Sequence, residues 1–226
     1  MSILTALQPA ARRLLNKEVT DLFGSSDRAV RELIDLAQES AVAIAKSNDW
    51  QRLKVLHTVT GDAVTVLHSM PGDLLKMPTN SVIVMGSSGM PLMAAKDDNQ
   101  WLAQEATSAI GPAMMYHLIG GKIGIRPVLS ATETVKFYYI TNKLWAGSKT
   151  APTENDDAFA LPERLITLAT IWRYRAQKRL EYGEDMTNFE IAFAEETADD
   201  RGKRVIHVSD FRVPANISSA YPYTLG

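Results

Sequence analysis

The stretch that decides the fold runs from residue 156 to residue 204 and reads DDAFALPERLITLATIWRYRAQKRLEYGEDMTNFEIAFAEETADDRGKR. Apolar residues recur in it at helical spacing, first at Leu165, Leu168, Ala169, Trp172 and Ala176 and then at Met186, Phe189 and Phe193. Pro162 fits the first turn of the earlier helix, and Tyr182-Gly183 interrupts the pattern. The stretch therefore predicts two helices joined by a short turn, with Trp172 in a core that other elements must complete.

The first 50 residues offer a surface for this hairpin. A short helical segment at the start of the chain is interrupted by Pro9, and Gly24-Ser25-Ser26 is a break with Ser26 as the expected N-cap. The next helix runs from Asp27 to Asn48. Its stripe consists of Val30, Leu33, Ile34, Ala37, Ala41, Ile44 and Ala45. We expect this helix and the hairpin at residues 162–198 to share one core.

Residues 51–150 have the character of β structure. Strands are predicted at Leu53–Thr60, Ala63–Leu67, Ser81–Met85, Met114–Ile119, Lys122–Arg126 and Glu133–Ile140. Gly61-Asp62 and Gly120-Gly121 are the expected two-residue hairpin turns. The segment from Trp101 to Ile110 is ambiguous and fits a short helix.

These elements predict an α+β fold in which a helical bundle carries a β-rich insertion and an extended C-terminal tail. We divide the chain into N-terminal helices at 1–50, a β-rich domain at 51–150, a helical hairpin at 151–204 and the tail at 205–226. The polar stretch from Ala146 to Asp157 is interpreted as a loop or hinge.

Composition excludes several classes of function. The 226 residues contain no cysteine, so disulfides, thiol nucleophiles and cysteine-bound zinc are excluded. A net charge of −2 argues against broad electrostatic binding of nucleic acid. No apolar run is long enough to span a membrane, and no secretory signal is visible.

Candidates for catalysis are few. The four histidines, His57, His68, His117 and His207, lack a second ligand at zinc spacing. Ser87 and Ser88 lie between two glycines, but the spacing is wrong for a nucleophile elbow. Gly120-Gly121-Lys122 lacks the other residues of a phosphate loop. We therefore expect no catalytic site, no metal and no cofactor.

Basic residues give the first helix of the hairpin a charged side made by Arg173, Arg175, Lys178 and Arg179. This side fits a DNA surface, a solvated face, or ion pairs with a neighbouring subunit, and acidic partners are close in Glu181, Glu184 and Asp185. Trp172 and Tyr174 are two positions apart and point to different faces of the helix. Because Trp172 is predicted to be core, Tyr174 is a candidate interface residue.

The tail beyond residue 204 is unusually rich in apolar residues for a chain end. Residues 205–210 alternate like a strand, and aromatic residues follow among prolines. We expect the tail to dock on another chain or on the β region of its own chain. The predicted interface residues are Val205, Ile206, Val208, Phe211, Val213, Tyr221 and Tyr223, together with Tyr174, Arg175 and Arg179.

An ordered set of motifs from about Asp27 to Arg204 resembles the adaptor proteins of tailed-phage head-tail connectors. It comprises the helix ending near Trp50, Val59-Thr60-Gly61-Asp62, the GGKIGIRP hairpin at 120–127, Lys136-Phe137-Tyr138-Tyr139, Asn155-Asp156-Asp157, Phe159-Ala160-Leu161-Pro162-Glu163, Ile171-Trp172-Arg173-Tyr174 and Tyr182-Gly183-Glu184-Asp185-Met186. The ordered set carries the resemblance, since no single motif is specific.

The resemblance implies a structural virion protein of the phage neck, made in the host cytoplasm and without enzymatic activity. It implies a ring of adaptor subunits, dodecameric in this family, that binds the portal protein and extends the DNA channel without reading sequence. The ring would also present an attachment surface to a downstream neck or tail protein. Residues 159–172 would be scaffold.

Two alternatives remain open at the level of sequence. One is another structural protein of the neck or tail tube, such as a stopper. The other is a virion-associated hydrolase, for which Ser87 or Ser88 near a histidine is the only candidate nucleophile.

Overall fold

A computed structural model describes residues 2–107 and 114–200. Its helices are α1 (Ile3–Leu15), α2 (Arg28–Ser47), α3 (Asp98–Thr107), α4 (Glu163–Gln177) and α5 (Gly183–Asp200). Its strands are β1 (Lys54–Thr60), β2 (Leu67–Ser69), β3 (Leu74–Lys76), β4 (Val84–Met85), β5 (Met93–Ala94), β6 (Met115–Ile119), β7 (Lys122–Arg126) and β8 (Thr134–Thr141). The predicted α+β class is confirmed. The predicted tail lies outside the described residues.

Three helices form the main core. α4 packs against both α1 and α2, and its other side contacts α5. The predicted core between α2 and α4 is therefore confirmed, and α1 also contributes to it through Ile3, Leu7 and Ala11. α5 lies on the outside, since Ala192 is its one fully covered residue.

Pro9 does not interrupt α1, which is a correction to the sequence prediction. The helix is continuous from Ile3 to Leu15, although proline removes one backbone hydrogen bond. Its apolar face is buried through Ile3, Ala6, Leu7, Ala10 and Ala11. Packing of this face outweighs the local cost of Pro9, because helices in proteins are stabilised mainly by tertiary contacts.

The N-cap of α2 lies one residue later in the chain than predicted. Asp27, not Ser26, is the N-cap, and its carboxylate accepts the Ala29 N–H at 2.9 Å. The helix ends at Ser47, one residue before the predicted end at Asn48. Beyond it, Trp50 folds back so that its indole N–H donates to the Ile44 carbonyl at 2.8 Å. This contact buries the indole against the helical core.

The strands form two sheets. In the first sheet β8 pairs with β1 along one edge and with β3 and β4 along the other. In the second sheet the order is β2-β7-β6-β5, and only the β5–β6 pair is parallel. Ile123 and Ile125 of β7 share a buried cluster with Val135 and Phe137 of β8, so the two sheets pack face to face.

Gly61-Asp62 is not a hairpin turn, contrary to the sequence prediction. β1 pairs with β8, and β2 belongs to the other sheet. A Cβ atom at Gly61 would lie 2.3 Å from the Ser130 carbonyl oxygen, so glycine is required here by close approach to another segment. Asp62 instead caps a local turn by accepting the N–H groups of Val64 and Thr65.

The second predicted hairpin is confirmed. Gly120 and Gly121 both have positive φ, and they join β6 to β7 in an antiparallel pair. The strong strand at 133–140 is confirmed as β8. Of the ambiguous segment from Trp101 to Ile110, residues 101–107 lie in helix α3, and residues 108–110 lie outside the described residues. Of the predicted strand Ser81–Met85, only Val84–Met85 is a strand, and these two residues pair with β8.

The buried face of α4 differs from the predicted stripe. Pro162 is the N-cap, immediately before the first helical residue. α4 is flanked on several sides, so its buried set is Leu165, Ile166, Ala169, Thr170, Ile171 and Tyr174. Trp172, predicted to be core, is only half-buried beside Tyr182 and Phe189, with ring centroids 6.4 Å and 6.3 Å away.

Candidate functional site

The predicted interface residues fall into two groups. Those at positions 205–223 lie outside the described residues. Tyr174, Arg175 and Arg179 lie at the C-terminal end of α4, where the structure shows their surroundings in the single chain.

Basic side chains of α4 are used mainly inside the chain. Arg173 contacts Glu39 of α2 at 3.0 Å, and Lys178 contacts Glu32 of the same helix at 2.8 Å. On the other side, Arg175 contacts Asp185 of α5 at 2.6 Å. These pairs connect α4 to α2 and α5, so the basic side is not a continuous surface for DNA.

Tyr174 is buried and not exposed at the surface. Its exposed fraction is 8%, and the Lys178 ammonium lies 5.2 Å from its ring centroid. Arg179 is different, because it is exposed and makes no ion pair within the described residues. The structure thus separates the three α4 candidates by accessibility, and Arg179 is the accessible one.

Arg179 begins an exposed apolar loop between α4 and α5. Its backbone is left-handed, with φ of 56°, and this turns the chain away from the helix. Leu180 and Tyr182 follow with exposed side chains, and Met186 is exposed on the first turns of α5. We call residues 179–186 the hairpin tip. It combines a free cation with apolar side chains, as protein interfaces do.

The stretch from Ala146 to Asp157 is interpreted from its sequence as a loop or hinge, and its acidic end at 155–157 is a loop tied into the bundle. The Asp157 carboxylate is buried and accepts the Lys149 ammonium at 2.7 Å and the backbone N–H groups of Thr153 and Glu154. These bonds, led by Lys149, lower the pKa of Asp157 to about 2. The loop is thereby held in one arrangement by a charged group.

The same loop also holds the N-terminal region. The Asn155 side-chain oxygen accepts the Leu22 N–H at 2.9 Å, and its amide donates to Asp21 at 2.9 Å. The Asp157 carbonyl accepts the Ile3 N–H at 2.7 Å, at the start of α1. Residues 155–157 therefore join the loop before α4 to α1 and to residues 21–22, which makes them scaffold.

An apolar groove lies on the outer face of the first sheet. Leu56 of β1 and Tyr138 of β8 are register partners, and both are about half exposed. Val82 flanks them with a more exposed side chain, and Lys54 and Lys136 line the ends. The groove has a volume of about 340 Å³. Exposed apolar surface with a charged rim is typical of a site that another protein segment covers.

A polar cleft of about 520 Å³ adjoins this groove. In it the Asp49 carboxylate contacts the Lys76 ammonium at 2.8 Å and accepts the Thr79 N–H at 2.8 Å. Burial opposes ionisation of Asp49, but Lys76 and Thr79 outweigh it and lower its pKa to about 2. This pair fixes the loop before β4 against the end of α2.

The three histidines of the described residues, His57, His68 and His117, do not form a cluster. His57 packs against Phe137 and Tyr139, and burial lowers its pKa. His117 contacts Asp98 at 2.6 Å beside Trp101. Ser88 accepts the Met90 N–H in a turn. Within residues 2–107 and 114–200, no group of three His, Asp or Glu side chains is placed to hold a metal ion.

The helices of the described part of the chain are also too short or too polar to cross a bilayer. Two of the places where apolar side chains are exposed are the outer face of the first sheet and the hairpin tip, and others, such as Val64, Met90 and Leu102, lie elsewhere on the chain.

The chain matches the family model of the SU10 adaptor protein over residues 1–215, and it therefore belongs to that family. The family is one of phage adaptors, which are structural components of the virion. No curated protein matches the chain.

Sequence reasoning missed the groove on the first sheet. Its residues come from β1 and β8, which are more than 70 positions apart in the chain. One local signal was present, since Val55 and Leu56 are consecutive apolar residues on opposite faces of one strand. Such a strand needs cover on both faces.

Proposed function

We propose that this protein is the subunit of an adaptor ring in the phage neck, bound to the portal protein and to a downstream neck or tail protein. Family membership over residues 1–215 is the observation that carries the proposal. In the ring each subunit contacts two neighbours through different surfaces, and the contacts close when the rotation between subunits permits it. The portal would act as the template.

The exposed apolar surfaces support contacts of this kind. The hairpin tip and the groove of the first sheet are at different places on the chain, as two distinct contacts around a ring require. The tip combines Leu180 and Tyr182 with the unpaired Arg179, and aromatic and arginine residues are enriched at interface centres. We assign the tip to a subunit or portal contact.

Passage of DNA fits the charge distribution without sequence recognition. The net charge is −2, and Arg173, Arg175 and Lys178 are neutralised by acidic side chains of the same chain. A channel wall formed by this side of α4 would offer few free cations to phosphates, so DNA would slide past it rather than be retained. We propose no catalytic role, because Ser88, His57 and His117 each have a structural neighbour within the described residues.

The test is to mix the purified chain with a purified portal and measure the mass of the product by light scattering after size exclusion. We expect co-elution in one complex larger than the portal alone. Leu180→Asp, at the tip, should weaken this complex, whereas Leu102→Asp, at an equally exposed site on α3, should not. Separate elution of chain and portal would contradict the proposal, and binding to a tail protein alone would favour the stopper alternative.

A further inference from the structure

Strand β1 has an unprotected edge. All seven of its residues pair with β8 on one side, and no other strand in the described ranges pairs with its opposite side. Exposed edges are usually protected by prolines, bulges, charges or a covering segment. β1 contains no proline, its register with β8 has no shift, and its one charged residue is Lys54 at the start. This edge therefore calls for a covering segment.

The described chain ends beside the start of the same strand. The carboxylate of Asp200, the last residue of α5, accepts the Gln51 N–H at 2.7 Å. Gln51 lies in the helical turn Gln51–Leu53 that leads directly into β1. The chain from residue 201 onwards thus starts next to β1 and can run along it in the same direction.

The length and pattern of the following residues fit that edge. β1 has seven residues, and the ten residues from 201 to 210 can extend to roughly 33 Å, more than β1 spans. Residues 205–210 read VIHVSD, with Ile206 and Val208 on one side, and Pro214 follows. On the strand's outer side, Ile206 and Val208 would extend the apolar face that contains Leu56.

We propose that residues 205–210 add to the free edge of β1 of the same chain as a parallel strand. Only residues 201–204 separate the segment from its starting point, so closing this connection costs little entropy compared with capture of a second molecule. The added strand would satisfy the outward N–H and C=O groups of β1 and cover Val55 and Leu56. It is a property of the isolated chain and does not depend on portal binding.

Amide hydrogen exchange of the isolated chain tests this assignment. Two truncations are compared with the full chain, one ending at Arg204 and a matched one ending at Asp210. We expect every second amide of β1 to exchange roughly tenfold faster or more in the chain that ends at Arg204, and to be unchanged in the chain that ends at Asp210. Equal rates in all three chains would overturn the proposal.

Point variants and a mixing experiment remove the remaining ambiguity. Val208→Pro deletes one N–H within the proposed strand and should release the same β1 amides, whereas Ser218→Pro should not. If both variants behave alike, the proposal is wrong. Labelled chain ending at Arg204 is also mixed with unlabelled full chain. We expect no recovery of protection, and recovery would show that the segment binds in trans, which contradicts the assignment.

Discussion

At the scale of single residues, Asp157 shows how one buried carboxylate orders a loop. It accepts hydrogen bonds from the Lys149 ammonium and from the N–H groups of Thr153 and Glu154, and its own carbonyl accepts from Ile3. The carboxylate bonds order residues 149–157, and the carbonyl bond ties this loop to the first residue of α1. Loss of the charge should therefore loosen the loop that precedes α4.

The pH dependence of Asp157 follows from its pKa of about 2, below its ordinary value of 3.8. Because the folded-state pKa is depressed, this stabilisation is present above about pH 4 and is lost as the pH falls towards 2. Asp157→Asn should be less stable by about 1–3 kcal/mol at pH 7, with the difference from wild type shrinking between pH 4 and 2. Urea unfolding across this range measures it.

Asp156→Asn is the matched control, because Asp156 is exposed and makes no hydrogen bond or ion pair in the described structure. Its stability should follow that of the wild type at every pH. A constant difference between Asp157→Asn and wild type from pH 7 to pH 2 would show that the charge of Asp157 is not what stabilises the loop.

The tryptophans allow a second residue-scale prediction. Trp50 has 1% of its surface exposed, donates to Ile44 and packs edge-on against Phe193 at 5.8 Å, whereas Trp172 is half-buried. Trp50→Ala should lower the free energy of unfolding by about 3–5 kcal/mol, and Trp172→Ala by clearly less. Denaturant unfolding of both variants checks this order. If Trp172→Ala lowered the free energy of unfolding more than Trp50→Ala does, the prediction would be wrong, and α5 would pack more tightly than its burial indicates.

At the scale of elements, local patterns predicted what local forces determine. α2, the β6–β7 hairpin, β8 and the α4–α5 hairpin all follow from apolar periodicity or turn glycines within a few residues. The pairing of Lys54 with Ile140 and the close approach of Gly61 to Ser130 depend on distant segments, so no local pattern contains them. At Pro9 the local signal for a helix break is strong, but tertiary packing keeps α1 continuous.

The candidate site, too, could be predicted from the sequence only where its signals were local. Tail composition pointed to an interaction segment, and the basic residues of α4 were visible as a charged side. Their partners Glu32 and Glu39 lie on α2, more than 130 positions earlier, so the sequence could not distinguish internal ion pairs from a free surface. The groove required the register between Leu56 and Tyr138.

The end of the tail gives the prediction at this scale. Deletion of Phe211–Gly226 leaves residues 205–210 in place and removes Phe211, Tyr221 and Tyr223. We expect the melting temperature of the isolated chain to be almost unchanged and portal attachment to weaken, because these aromatic anchors would contact a neighbour or the portal. Calorimetry and portal co-elution measure the two effects. A chain that unfolds on deletion, or one that assembles fully, would contradict the prediction.

At the scale of the whole molecule, the chain is a preformed subunit. Its ion pairs, the loop at 155–157 and its two hydrophobic cores hold it in one arrangement. Arg173, Lys178 and Arg175 connect α2, α4 and α5, so the hairpin tip is presented on a fixed support. A fixed subunit loses less conformational entropy on assembly, and a symmetric portal supplies many sites at once. We propose that assembly on the portal is thereby favoured over assembly in free solution.

The copy number of the chain on the portal tests the central claim most directly. Native mass spectrometry of the portal–adaptor complex would measure how many chains bind each portal ring. The account predicts a closed ring with one adaptor chain per portal subunit and no partially filled complexes at saturation. A portal that binds no chain, or a complex with one or two chains at saturation, would contradict the assignment as an adaptor ring.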